Sequence, residues 1–386
     1  MAAETGRQPI EVDDLLTRLD RGEDVLLLDV RNDDDFARWR LEARRPVATA
    51  HIPYFEFIED PEAAAARLPR AGEIAVLCAY GGSSEYVVGA LHELGVVARN
   101  VAGGMVAYGD LLAPAPVAAG PGFELWQVNR RGKGCLSYVL ACRGEAIVVD
   151  PARHVDWYDA FLRERGARLT RVLDTHVHAD HVSGGPRLAA RHGASYFVSA
   201  GPGAPVGHVV TPLLDGQTLR LGGDEGVALE VRAIETPGHT PGSTCFLVDG
   251  RCLLTGDTLF VGGVGRPDLG GQVDPWGRDL FRTLRGRLAA LPDDVVVLPA
   301  HWAAPREMGP DGVVAARLGE LRRTLPEFAL DGEDAFVEAV RAGVSEPPAA
   351  YARLLRINLG LETAGAEQLT EWELGKNQCA AAPRRL

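Results

Sequence analysis

The stretch 173-LDTHVHADHVSGG-185 sets His176, His178, Asp180 and His181 within six positions, directly behind the apolar run that ends at Leu173. Histidine and aspartate are poor strand residues and costly to bury unless something pairs with them. Packing therefore gives no reason to cluster them at the end of a strand. A metal ion does give one.

Four more segments extend the pattern: "ETPGHTPGS" carries His239, "LLTGDTLF" Asp257, "VGRPDL" Arg266 and Asp268, and "VLPAHW" His301. Each candidate ligand follows an apolar strand, and strand ends are where side chains from distant parts of a chain converge on one rim of a sheet. Imidazole with carboxylate suits zinc, iron or manganese. With no thiolate nearby, a purely structural zinc site is disfavoured and open coordination positions are expected. His92, His154, His192 and His208 stand alone and read as ordinary core or surface residues.

Around these motifs the chain reads as two domains. At 386 residues, 46% hydrophobic and 24% charged, it has room for two cores. The formal charge of -13 excludes a basic face for nucleic acid or an anionic membrane, so small-molecule partners are expected. The start lacks a basic, apolar leader pattern and no later apolar run is long enough to cross a bilayer, which points to a cytoplasmic protein. The six cysteines form no CxxC pair and read as reduced; Cys135, Cys142, Cys245, Cys252 and Cys379 read as small buried apolar residues.

From the N-terminus, a helical pattern over Ile10 to Leu19, the strands "DVLLLDVR" and "EIAVLC", and the capped helix "SSEYVVGALHELG" predict a parallel α/β domain over residues 1–112. The proline- and alanine-rich residues 113–122 read as a linker. In residues 123–386, the strands "CLSYVL", "AIVVD", "SYFVS", "CFLVDG" and "RCLLTGD" predict two sheets flanked by helices. Helices are expected over Val313 to Leu325, Ala335 to Arg341 and Ala349 to Ile357.

From Phe123 to Trp302 the ordered motifs resemble the metallo-β-lactamase superfamily. That resemblance implies an αββα sandwich with a helical C-terminal segment. It also implies a full ligand set for two metals: His176, His178 and His239 for one, Asp180, His181 and His301 for the other, with Asp257 bridging. Within the superfamily, "GDTLFVGGVGRPDLGG" and the tail "RINLGL...ELGKNQCA" are similar to those of persulfide dioxygenases. The resemblance then implies one Fe(II) per chain on His176, His239 and Asp257, with His178, Asp180, His181 and His301 as second-metal or supporting residues. Two histidines and one carboxylate leave three positions open, as in non-haem Fe(II) oxygenases. Arg266 and Asp268 become candidates for substrate binding, Arg266 either orienting the substrate's carboxylate or ordering Asp268 near the iron. The alternatives are zinc, up to two ions, in a hydroxyacylglutathione-type thioester hydrolase, and a non-catalytic persulfide carrier or sensor.

A second chemistry lies in "VLCAYGGSSEYVV". Cys78 sits between a buried strand and a helix start, where loop N–H groups and the helix dipole stabilise a thiolate or persulfide. With "LLLDVR", "AHIP" and "VAGGMVAYGD" around it, the first domain resembles a rhodanese, which makes Cys78 a catalytic sulfur carrier in the loop Ala79, Tyr80, Gly81, Gly82, Ser83 and Ser84. Cys78, Gly81 and Ser84 match the usual rhodanese loop, but Ser83 stands where an arginine is common, which removes a bidentate anion clamp. Both readings converge on sulfane sulfur. The expected activity is Fe(II)-dependent oxidation of a small thiol persulfide, glutathione persulfide being the prototype, by O₂ to sulfite and free thiol. Sulfur transfer at Cys78 would be coupled to it in sulfide detoxification. Family members also imply a homodimer, with the C-terminal helices as candidate contact surface.

Overall fold

The computed structural model describes residues 8–70, 72–118, 122–222, 229–344 and 346–379. The chain divides into two compact units. One runs to Ala113 and includes Arg130–Lys133 and Leu374–Lys376; the other comprises Pro114–Asn129, Gly134–Glu373 and the chain from Asn377.

In the first unit, β1 (Val25–Asp29), β2 (Thr49–His51), β3 (Glu73–Leu77) and β4 (Ala98–Asn100) form a parallel sheet in the order β2-β1-β3-β4. Val25 and Leu27 share a core cluster with Leu15 and Leu19 of the helix Val12–Arg21, whereas Leu26 and Leu28 share another with Val87 and Leu91 of the helix Gly82–Glu93. A strand covered by helices on both faces needs such an unbroken apolar run. The first helix ends at Gly22, whose φ of 80° lets its N–H return to the Leu19 carbonyl.

The rest of the chain supplies β5 (Leu112–Pro116), β6 (Glu124–Arg130), β7 (Cys135–Cys142), β8 (Glu145–Val149), β9 (Arg168–Leu173) and β10 (Ser195–Phe197), then β11 (Thr218–Leu221), β12 (Leu229–Glu235), β13 (Thr244–Val248), β14 (Cys252–Gly256), β15 (Val296–Pro299) and β16 (Ala316–Arg317). They form two six-stranded sheets, ordered β10-β9-β8-β7-β6-β5 and β11-β12-β13-β14-β15-β16. Tyr138, Leu140, Ile147 and Val149 of the first sheet share one core with Val231, Phe246, Val248 and Leu254 of the second. The alternate residues Cys245, Leu247 and Leu253 join Leu280, Leu284, Leu321 and Phe336 of the helical layer outside. Period-two alternation on a sheet buried on both faces thus gives the expected αββα sandwich.

Two expectations need correction. Residues 113–116 of the predicted linker lie in β5, an edge strand on which alternate residues are half-buried, a position where proline is tolerated because one side of the backbone needs no partner. Residues 119–121 of that linker lie outside the described residues. The helix predicted from Val313 begins only at Leu318. Before it, Val314 bridges Met308 and Ala316–Arg317 pairs with β15, because the branched side chains of Val313 and Val314 fill the sandwich core. No helix among the described residues is long and apolar enough to cross a membrane.

Candidate functional sites

The sandwich brings its chemistry to the strand ends. Asp150 directly follows β8, the loop Asp174–His181 follows β9, and His239 lies in the turn between β12 and β13. Asp257 directly follows β14, and His301 follows β15. All are buried, the histidine and aspartate side chains included. Close backbone approach makes this convergence possible. Gly256 has φ of +52°, and a Cβ there would stand 2.5 Å from Thr175 Oγ1; a Cβ on Gly265 would stand 1.9 Å from the Asp257 carbonyl oxygen.

His176, His239 and Asp257 present ligand atoms that all lie within 4.8 Å of one another. Asp257 Oδ2 is 3.7 Å from His176 Nε2 and 3.4 Å from His239 Nε2, while Oδ1 is 3.2 Å from His301 Nε2. Even so, neither carboxylate oxygen accepts an aligned hydrogen bond, and His176 Nε2 has no partner. Leaving such groups buried and unmatched is costly, so their convergence fits a metal ion. The opposite atoms are tethered: His239 Nδ1 donates to the Arg266 carbonyl at 2.8 Å, which directs Nε2 inward. Burial, then the neighbouring His178, holds His176 below its ordinary pKa, and burial does the same to His239. Both imidazoles are therefore neutral and their lone pairs available. Burial pushes the Asp257 carboxyl up, but the neighbouring histidines, His301 first, outweigh it and hold the carboxyl below its ordinary value.

His178 groups elsewhere. Its Nε2 meets Asp150 Oδ1 at 3.1 Å in a group with Asp174, while its Nδ1 is buried without a partner and its ring lies 4.3 Å from that of His176. Asp180, His181 and His301 come together with the Cys135 thiol, and Cys379 approaches Asp257 and His301. All six cysteines are free and buried, but reading these two as mere packing residues missed their place at the site. Nothing in the spacing of Cys135 signals it; the antiparallel bridge Cys135–His301 creates the contact.

Supporting residues also come from afar. Asp150, at φ 51°, accepts from Thr175 N–H at 2.7 Å and the Thr175 hydroxyl at 2.9 Å. Asn358 donates to the carbonyls of His178 and His181 at 2.8 and 2.7 Å and accepts from Ser183 N–H at 2.9 Å. Glu373 accepts from Val182 N–H at 2.6 Å. Arg266 is 1% exposed, forms a bidentate ion pair with Asp268 at 2.7 and 2.7 Å, and donates to the Gln378 carbonyl. Its backbone carbonyl holds His239, so the pair supports a ligand.

In the first unit, Cys78 follows β3 and opens onto the helix Gly82–Glu93. Gly81 N–H donates to its Sγ at 3.0 Å and the Ser84 hydroxyl approaches at 3.1 Å. Burial alone raises the thiol pKa, but the Ser84 hydroxyl and the N–H groups of Ser84, Gly81 and Tyr80 outweigh it and hold the pKa below the ordinary value. Gly104 packs so closely that a Cβ would stand 2.2 Å from the Cys78 carbonyl oxygen, which accounts for the "AGGM" segment. Ser83 is half-buried where the arginine clamp would stand, while Tyr80 is exposed.

Comparison with known proteins follows the same division. Residues 130–301 match the metallo-beta-lactamase superfamily and residues 11–110 the rhodanese-like domain. A hydroxyacylglutathione hydrolase of Anaeromyxobacter dehalogenans is 38% identical over 50% of this chain and 74% of its own. The mitochondrial persulfide dioxygenase ETHE1 of Homo sapiens is 33% identical over 43% of this chain and 63% of its own. The chain thus spans under two thirds of the human protein, as it does of a hydroxyacylglutathione hydrolase from Polaromonas sp., where the match covers 61%. The crystal structure of ETHE1 from Myxococcus xanthus superposes with a TM-score of 0.53 at 25% identity, covering 61% of this chain and 98% of that one. The chain belongs to the metallo-beta-lactamase superfamily, with a rhodanese-like domain preceding that fold.

Proposed function

We propose that this enzyme oxidises a low-molecular-weight thiol persulfide, of which glutathione persulfide is the prototype, with O₂ and water to sulfite and the free thiol. We assign one Fe(II) to His176, His239 and Asp257. The observation that carries the reading is the convergence of these three residues, whose ligand atoms all lie within 4.8 Å of one another with His176 Nε2 and both Asp257 oxygens buried and unmatched. When bound there, Fe(II) would supply the redox chemistry and the open positions that a two-histidine, one-carboxylate face leaves.

The chain's own residues set the conditions. Asp257 brings one negative charge to offset the cation, and the neutral imidazoles of His176 and His239 leave a net positive site for an anionic sulfur. The Arg266 carbonyl fixes the His239 ring. Phe260, buried in the segment after Asp257, has its ring 6.2 Å from that of His301, and Tyr351 holds the tail by accepting Gln378 N–H at 2.8 Å.

At Cys78 we propose sulfane sulfur transfer, for which the converging N–H groups and the Ser84 hydroxyl provide anion stabilisation. Persulfide delivery and thiosulfate formation both fit this fusion, in a cytoplasmic setting of sulfide detoxification. The test is metal content of anaerobically purified protein with O₂ uptake on adding glutathione persulfide. Iron in the site, with O₂ consumed and sulfite formed, supports the reading. Release of thiol from an acylglutathione without O₂ uptake would replace it with the hydrolase reading carried by the other relatives.

A further inference from the structure

We infer, on the reading of Cys78 as a sulfur carrier, that its sulfur passes to a small organic thiol and not to sulfite. Of the two routes open to the fusion, the loop then serves persulfide delivery. The donors at this site meet Sγ, the Gly81 N–H at 3.0 Å and the Ser84 hydroxyl at 3.1 Å. Asn100 fixes both, accepting from the Ser84 hydroxyl at 2.7 Å through Oδ1 and donating to the Gly81 carbonyl at 3.0 Å through Nδ2. In Cys78–S–SH this sulfur is the leaving group. A thiolate RS⁻ attacks the outer sulfur, the S–S bond to Sγ breaks, RS–SH forms and Cys78 departs as the thiolate. The proton stays on the transferred sulfur, and no external oxidant or reductant enters. Donors that stabilise the departing thiolate speed such an exchange.

The surroundings of the loop select the nucleophile. Ser83 fills the place of an arginine clamp. Phe57, Ala64 and Val87 share one core cluster with Cys78, which gathers the helices Tyr54–Glu59, Pro61–Ala66 and Gly82–Glu93 around it. Arg31 after β1, Arg67 after the second of these helices and Arg99 on β4 are each held by a carboxylate, Asp29, Glu56 and Glu73 in turn. Glu59, Glu62 and Glu85, one on each helix, are exposed. Sulfite arrives as a compact anion whose oxygens need donors, and carboxylates repel it. An organic thiol meets a different surface. Among the described residues, the exposed tyrosine, phenylalanine and tryptophan side chains are Tyr54, Phe55, Tyr80 and Tyr86. Tyr80 stands in the loop itself at 71% exposure, Tyr86 on the helix that starts there, and Tyr54 and Phe55 on the helix Tyr54–Glu59. Exposed apolar side chains gathered in this way mark a surface that a ligand covers. A thiol has a body to pack against these rings, and sulfite has none.

The experiment uses full-length protein kept free of O₂, so that oxygenation consumes none of the sulfur. Inorganic polysulfide loads Cys78, and intact mass shows one added sulfur that Cys78→Ser protein does not gain. Without that gain the carrier reading fails and takes the choice of acceptor with it. Loaded protein is mixed with glutathione or with sulfite, and glutathione persulfide or thiosulfate is followed as it forms. Each rate is divided by that of the same nucleophile with cysteine persulfide free in solution, which removes intrinsic reactivity. The expected ratio favours glutathione. Ser83→Arg, which restores a clamp, raises the thiosulfate rate by about 10–100-fold, the worth of one hydrogen bond to a charged group. Glu85→Gln, which leaves the loop sequence intact, raises it by less, and both change the glutathione rate less than the sulfite rate. A normalised sulfite rate equal to or above that of glutathione overturns the inference, as does a sulfite rate that neither substitution raises. O₂ uptake with preformed persulfide is read separately, so failure here leaves the iron reading standing.

Discussion

In the loop after β3, Cys78 Sγ is met by the Gly81 N–H and the Ser84 hydroxyl. In the loops at the sandwich strand ends, His176 Nε2 and both oxygens of Asp257 are met by no aligned donor. Both regions bury reactive atoms behind an apolar strand, and both orient them by close glycine approaches. The first surrounds a single sulfur with donors and so stabilises an anion that the protein carries covalently. The second withholds donors from its acceptors, which leaves their lone pairs for a cation. A buried acceptor that receives hydrogen bonds is already complete, whereas one that receives none is waiting for a partner.

The comparison breaks first at Asp257. Asp257→Ala should reduce the iron content of anaerobically purified protein to background and abolish O₂ uptake with glutathione persulfide. The expected loss exceeds the ~10–100-fold typical of removing an outer-sphere partner. Alkylation of Cys78 by iodoacetamide should be unaffected in the same protein. An Asp257→Ala protein that kept its iron would remove the carboxylate from the ligand set.

Asn358 sharpens the same contrast from outside the ligand set. Its amide donates to the carbonyls of His178 and His181, and a carboxylate of the same shape cannot. Asn358→Asp should therefore weaken metal binding by about 10–100-fold, measured by competition against a chelator. Asn358→Gln, which keeps the donors on a longer stem, should fall between the two. Equal affinity in all three proteins would show that the loop holds its shape without this clamp.

Asn358 also shows where the sequence stops being legible. His176, His239 and Asp257 stand out because each interrupts or ends an apolar run with a residue that packing does not explain. The strands themselves are equally plain, since β1 carries the unbroken apolar run VLLL and β13 the run CFLV, buried on both faces. Cys135, Asn358 and Glu373 carry no such mark. Each gains its role from a partner more than a hundred residues away, at His301, His178 and Val182 respectively. The edge strand β5 was hidden for a related reason, because proline and alanine give no pattern and only pairing with β6 makes them a strand. Arg266 and Asp268 were legible together in one motif, but the hold of Arg266 on the tail through the Gln378 carbonyl was not.

Cys78→Ser tests whether the two regions carry separate chemistries. Sulfur transfer to or from a small thiol should be abolished, since an alcohol cannot hold a transferable sulfane sulfur. Oxidation of preformed glutathione persulfide, followed by O₂ electrode, should persist because every proposed iron ligand is intact. Equal loss of both activities in a folded protein would mean that the sulfur reaches the iron only by way of Cys78.

The smallest expected effect lies in Ser84. Its hydroxyl has one proton and three acceptors within reach: Cys78 Sγ at 3.1 Å, the Gly81 carbonyl at 3.1 Å and Asn100 Oδ1 at 2.7 Å. With a neutral thiol, the amide oxygen of Asn100 is the nearer and stronger acceptor. Once Cys78 ionises, the charge on sulfur draws the proton, so the hydrogen bond favours the thiolate over the thiol. A bond of that kind is worth about 0.5–1.5 kcal/mol, or roughly 2–10-fold in the ionisation equilibrium. The sign follows: Cys78 is held below the ordinary thiol value, so thiolate is present at lower pH than for a free cysteine. Ser84→Ala should move the midpoint of the iodoacetamide pH–rate profile upward by a few tenths of a pH unit to about one unit. The rate at high pH, where the sulfur is ionised in either protein, should change little. A midpoint that does not move would assign the lowered pKa to the backbone N–H groups alone, and the loop would then hold its anion much as a helix N-terminus does.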